Sequence, residues 1–167
     1  SCPNADSAWV VETTANTATI AWTPVADSGA TYNIILGSDT VATGLTDTEY
    51  TVDNLHGNTH YTFIVATDCA DSTFSFGTYV QALTDCGIVD ELPWSEDFTS
   101  PDALRCWTMH DLDGVFTSNW YRNSLGEVRS NFCDNGPANA WVVTPALALP
   151  EGDGNVTLSW DAYGQTS

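Results

Sequence analysis

Asp111-Leu112-Asp113-Gly114 sets two carboxylates two residues apart ahead of a glycine. A loop of that kind can curl both acids around one hard cation such as Ca2+, which takes oxygen ligands. It is not an EF-hand, because Arg122 occupies the twelfth position where a bidentate Glu is needed. The plain counterpart is a solvated acidic turn. Trp120-Tyr121 follows the loop, and aromatic faces stack on sugar rings, so a glycan-binding platform is the second chemistry offered. Five of the seven Trp lie in the second half (Trp94, Trp107, Trp120, Trp141 and Trp160). Large aromatics mainly fill cores, and roughly three in four of these are expected to be buried.

Nucleophilic chemistry finds little support. His110 beside Asp111, with Cys106 nearby, has only a superficial likeness to a Cys–His pair. His56 and His60 flank a turn and read as structural or solvated. No Ser, His and acid set has a recognisable nucleophile context, and neither Walker-type nor Rossmann glycine spacing occurs.

The charge narrows the partners. There are 22 acidic residues against three Arg and no Lys, and residues 1–85 contain no basic side chain. A phosphate backbone or an anionic membrane surface finds nothing to pair with, which argues against nucleic acid and against membrane binding. The longest apolar runs are too short to cross a bilayer, so no membrane insertion is expected. The five cysteines show no C-x-x-C spacing, which disfavours zinc and thioredoxin-like chemistry. Scattered cysteines in a Thr-rich chain suit disulfides in an oxidising compartment, with an odd one left over. Ser1 reads as a point inside a longer chain.

The elements that must position these residues are strands. Alternation is clear at Ile20 and Trp22, at Tyr32, Ile34 and Leu36, and at Tyr61, Phe63 and Val65. Strands are expected over 8–13, 17–23, 30–36, 39–42, 48–53, 59–67 and 74–83, with Asp27-Ser28-Gly29 and His56-Gly57-Asn58 as turns. Leu55 and Tyr61, six apart around a turn, have the spacing of a tyrosine corner, in which a ring hydroxyl meets nearby backbone.

With Trp22 on the second strand and that Leu-to-Tyr pair, residues 1–85 resemble a fibronectin type III domain, an immunoglobulin-like β-sandwich. Cys2-Pro3 at the start and Cys69 at the end of the sixth strand resemble its cysteine-bearing bacterial variety. In that fold both positions lie at one pole, which implies a Cys2–Cys69 disulfide worth about 4 kcal/mol. The junction over 86–93 is short, so two modules packed end to end are expected rather than beads on a flexible string.

Residues 86–167 carry Leu92–Phe98 (LPWSEDF), Cys106-Trp107, the Asp111–Gly114 loop, Trp120, Asn139–Pro145 (NAWVVTP) and Val156–Gly164 (VTLSWDAYG). In series these resemble the N-terminal part of a cleaved-adhesin or choice-of-anchor J jelly roll, related to MAM domains of secreted surface proteins. That resemblance implies a calcium-supported β-sandwich used in adhesion or carbohydrate attachment, without catalysis. It makes Glu96 and Asp97 the acidic pair of the family's first strand, and Asp161, at the end of a strand at 156–162, able to close a site with Asp111 and Asp113. It pairs Cys86 with Cys106 and leaves Cys133 a partner beyond Ser167; a Cys106–Cys133 bridge stays open. The family pattern continues for about as many residues again, so open sheet edges are expected.

The fold expectation is therefore all-β, tandem β-sandwiches. The expected function is a non-catalytic attachment region of a secreted or cell-surface protein, meeting a glycan or protein on a surface. The alternatives are an accessory region of a secreted protease or glycoside hydrolase, and an extracellular filament subunit self-associating through open sheet edges by strand complementation.

Overall fold

The computed structural model describes residues 2–112, 120–130, 139–152 and 154–163. Seven strands build a sandwich: β1 (Ala8–Thr13), β2 (Ala18–Trp22), β3 (Thr31–Leu36), β4 (Asp39–Leu45), β5 (Glu49–Val52), β6 (His60–Asp68) and β7 (Thr78–Leu83). One sheet has the order β1-β2-β5 and the other β4-β3-β6-β7, every pairing antiparallel. Two sheets of this strand order, three facing four, make a fibronectin type III-like sandwich. The fold class is all-β.

Period-2 alternation decides which side chains meet between the sheets. Tyr32 and Ile34 from β3, Phe63 and Val65 from β6, and Val80 and Ala82 from β7 all point inward and are buried. Opposite them stand Ile20 and Trp22 of β2, with Trp22 edge-on to Tyr32 at a centroid distance of 5.3 Å. β2 is buried on both faces, and its outward Thr19 hydroxyl hydrogen-bonds the Thr51 hydroxyl of β5 at 2.8 Å. An extra residue at Val11 bulges β1, which otherwise follows the expected limits. Strand β7 starts four residues later than expected: Gly77 takes φ +88, and only Phe74 keeps a bridge, to Asp68.

The tyrosine corner forms. The Tyr61 hydroxyl accepts the His56 backbone N–H at 2.9 Å, and Leu55 is buried beside the core. The expected Cys2–Cys69 disulfide is present, closing the N-terminal segment onto the end of β6. So is Cys86–Cys106, in the segment that leaves the sandwich. Cys133 and its pairing lie outside the described residues.

Past the junction, the described residues form two ribbons. β8 (Thr108–Asp111) pairs with β11 (Ala140–Val143), and β9 (Trp120–Arg122) pairs with β10 (Val128–Ser130). Two sequence expectations fail here. Residues 156–162 form no strand, although Val156, Leu158 and Trp160 alternate with Thr157, Ser159 and Asp161; they are exposed and find no ladder among the described residues. None of the five tryptophans is buried: Trp94, Trp107 and Trp120 are half-buried, and Trp141 and Trp160 are 59% and 75% exposed. Among the described residues each ribbon has only two strands, too few to enclose a large ring.

Candidate functional site

The chain leaves the sandwich at its tyrosine-corner pole and is fastened there. The fully buried Thr84 hydroxyl donates to the His56 carbonyl at 2.6 Å and accepts the Thr59 N–H at 3.0 Å. The Asp85 carbonyl accepts the Asn58 N–H, the Asp85 N–H reaches the Thr14 carbonyl, and its carboxylate accepts the Thr13 hydroxyl at 2.8 Å. Arg105, the neighbour of Cys106, reaches back over this seam. Its guanidinium donates to the Thr84 carbonyl at 2.9 Å and to Asn58 Oδ1 at 3.0 Å, and it lies 3.9 Å from Asp85. Contact is close enough to require glycine: a Cβ on Gly87 would stand 2.7 Å from the Ala15 Cβ.

Between the pole and the following segment lies a cleft of about 550 Å³, within the size range of small-ligand sites. One wall is the turn His56–Thr59, and the other carries Asp90, Glu91, Trp94, Glu96 and Trp107. Two features of the following segment shape it. A parallel bridge between Val89 and Leu147 brings Pro145 to its edge. The Cys86–Cys106 disulfide holds Trp107 near the junction. The Trp94 and Trp107 rings lie 6.0 Å apart, tilted by 35°, and Phe98 backs Trp107 at 5.2 Å. His56 lies 3.4 Å from Glu91 and 3.8 Å from Asp90, and all three side chains are at least half exposed. His60 meets Asp102 at 3.5 Å outside the cleft.

Of the described residues that the sequence offered as metal or sugar ligands, only Glu96 lines this cleft. Glu96 turns one carboxylate oxygen onto the Phe98 N–H at 2.7 Å, and Asp97 accepts both the N–H and the hydroxyl of Thr99. The backbone N–H and then the hydroxyl of Thr99 hold the Asp97 carboxyl below its ordinary range. Arg122 clamps the same turn, its guanidinium donating to the carbonyls of Phe98 and Thr99. Asp111 ends β8 opposite Ala140, Asp161 is exposed, and Asp113 lies outside the described residues. Among the described residues no group of three or more His, Cys, Asp or Glu side chains is arranged to hold a metal ion. Trp120 is half-buried with its indole N–H on the Ala140 carbonyl at 3.0 Å, while the adjacent Tyr121 is 41% exposed, as neighbours on a strand face opposite ways. Cys106 is consumed in its disulfide, which removes it as a thiol nucleophile for His110. Sequence reasoning missed the cleft. The signal available was the Asp90-Glu91 pair followed by Trp94, but the facing wall comes from His56, more than thirty residues earlier.

No protein-family model matches the chain, and no curated protein matches it. Among solved structures, the crystal structure of FN3tt is similar at 25% identity and TM-score 0.43, over 50% of this chain and 94% of that one. A Yersinia enterocolitica family 28 exopolygalacturonase is similar at 14% identity and TM-score 0.45, over 59% of this chain and 24% of that one. A Bacillus thuringiensis chitinase is similar at 19% identity and TM-score 0.45, over 87% of this chain and 27% of that one. The matches thus span about a quarter of the length of each of those two enzymes. At TM-scores below 0.5 these likenesses carry no weight of their own. The sandwich is fibronectin type III-like on its strand order and its tyrosine corner.

Proposed function

We propose that this chain is a non-catalytic attachment region of a large secreted or cell-surface bacterial protein, in which the sandwich is a stiff spacer and the segment after it meets a glycan or protein on a surface. The observation that carries this reading is the fastened pole: Thr84, Asp85 and Arg105 tie the exit of the sandwich to the segment whose aromatic and acidic side chains line the cleft. A spacer that transmits orientation needs such a joint, whereas a flexible tether would not build one. Two disulfides suit the oxidising compartment that this reading requires. An accessory role beside a catalytic domain of a secreted protease or glycoside hydrolase uses the same features and differs only in what lies elsewhere in the parent protein. Completion of the second module as a jelly roll belongs to the same proposal, and so does its Ca2+. The described carboxylates do not form a cage, so no step of the function is routed through the ion. A rise in melting temperature on adding Ca2+, abolished by Asp113→Asn, would be the sign that the Asp111 loop closes one.

The test is co-sedimentation of the purified chain with insoluble polysaccharides and with protein-coated beads, beside assays for proteolysis and glycoside hydrolysis. Attachment without turnover is expected. Turnover by this chain alone, or failure to sediment with any surface, overturns the reading.

A further inference from the structure

We infer that the cleft at the sandwich pole takes a cationic group, the guanidinium or ammonium of an Arg or Lys side chain on a partner protein; this rests on the attachment reading and names the chemistry of its site. Three carboxylates, those of Asp90, Glu91 and Glu96, line the cleft, and no Lys or Arg does. The one titratable base among the lining residues is His56, a single imidazole shared between Asp90 and Glu91, which can supply at most one positive charge against three carboxylates. Arg105, which precedes the cleft-lining Cys106 and Trp107, is spent on Thr84, Asn58 and Asp85. The net charge of −19 adds to the local field, and a cleft focuses such a field.

The aromatic geometry agrees. Trp94 and Trp107 are tilted by 35° at 6.0 Å, and they make a corner rather than the flat platform on which a pyranose ring lies. A cation needs only one ring face within about 6 Å, and the carboxylates of Asp90, Glu91 and Glu96 stand on the same wall as the rings. Guanidinium fits best, because it is planar, stacks on an indole and donates in pairs to a carboxylate. An anionic ligand is repelled, and a neutral sugar, whose hydroxyls can donate to the carboxylates, lacks the net charge that the field of the cleft attracts.

The experiment is tryptophan-fluorescence titration at pH 7.5 in 50 mM salt with an acetylated, amidated (Arg-Ser)4 peptide. The same peptide with citrulline for Arg and a neutral cello-oligosaccharide are titrated beside it. Saturable binding of the Arg peptide is expected, weakened at least tenfold by Asp90→Asn with Glu91→Gln, and lost for the citrulline peptide. Neutralising two carboxylates on the sandwich, Asp39→Asn with Glu49→Gln, is expected to weaken binding less than threefold, which separates the cleft from net charge. Equal binding of the citrulline peptide, equal effects of the two double variants, or no binding of the Arg peptide overturns the inference. If the oligosaccharide saturates and the Arg peptide does not, attachment survives and the cationic ligand does not.

Discussion

Replacing Thr84 by Val tests whether the pole is a built joint. Thr84 is fully buried, and its hydroxyl serves two backbone groups of the facing turn, the His56 carbonyl at 2.6 Å and the Thr59 N–H at 3.0 Å. Valine has nearly the same shape, so no cavity opens and the cost is that of stranding those partners. A buried polar group left without its partner costs about 1–3 kcal/mol, so two give about 2–4 kcal/mol once water reaches the partly exposed turn. Serine keeps the hydroxyl and loses one methyl, for about 1 kcal/mol. Urea unfolding followed by tryptophan fluorescence reads both values, provided the slope is unchanged between variants. A Thr84→Val loss under about 0.5 kcal/mol, or a serine variant as damaged as the valine, would refute the claim that these hydrogen bonds fasten the turn. The same variant should weaken the Arg peptide, because His56–Thr59 is a wall of the cleft.

Gly87→Ala puts a Cβ 2.7 Å from the Ala15 Cβ and should cost about 1–3 kcal/mol, recovered in the Ala15→Gly double variant; the cycle is read by urea denaturation. Removing the Cys86–Cys106 disulfide as a pair of serines releases a bridge spanning 20 residues and should cost about 3 kcal/mol, while Cys2–Cys69, spanning 67, should cost about 4, each measured by thermal melting. Asp97 should titrate below the ordinary aspartate range by carboxyl NMR, and Thr99→Val should raise its pKa by removing the hydroxyl donor. Because that folded-state pKa is depressed, the turn's contribution is present above the unfolded value and is lost as pH falls through the lowered one. A rising stability below that range would contradict the assignment.

Legibility in the sequence follows how each segment is buried. The sandwich could be read strand by strand because each inward residue has a partner on the facing sheet: Ile20 and Trp22 against Tyr32, Ile34, Phe63 and Val65. Position in the chain then determines face, and face determines burial. Tyr61 was readable for a different reason, since its hydrogen bond is to a residue five back and is local in sequence. Burial of the tryptophans of the second half was not legible, because it depends on a sheet packed against theirs, and the described ribbons have two strands each. Glu96 and Asp97 were legible as an acidic pair but not in their local bonding, in which each carboxylate accepts a backbone N–H two residues on. The cleft was invisible because its walls come from two distant stretches joined only by the folded pole.

The distribution of the few cations gives the acidity a physical meaning. Arg105 is used to tie the following segment to the pole, and Arg122 to clamp the turn after Asp97. Arg129 is paired with Glu127 at 2.6 Å, one residue pair inside a ribbon turn. All three guanidinium groups therefore have partners within the chain, whereas among the described residues Asp90 and Glu91 at the cleft, 72% and 76% exposed, are ion-paired only to the His56 imidazole. Each guanidinium is thus engaged within the chain, and negative charge is left at an aromatic-lined opening, which biases encounters toward cationic partners before any contact is made.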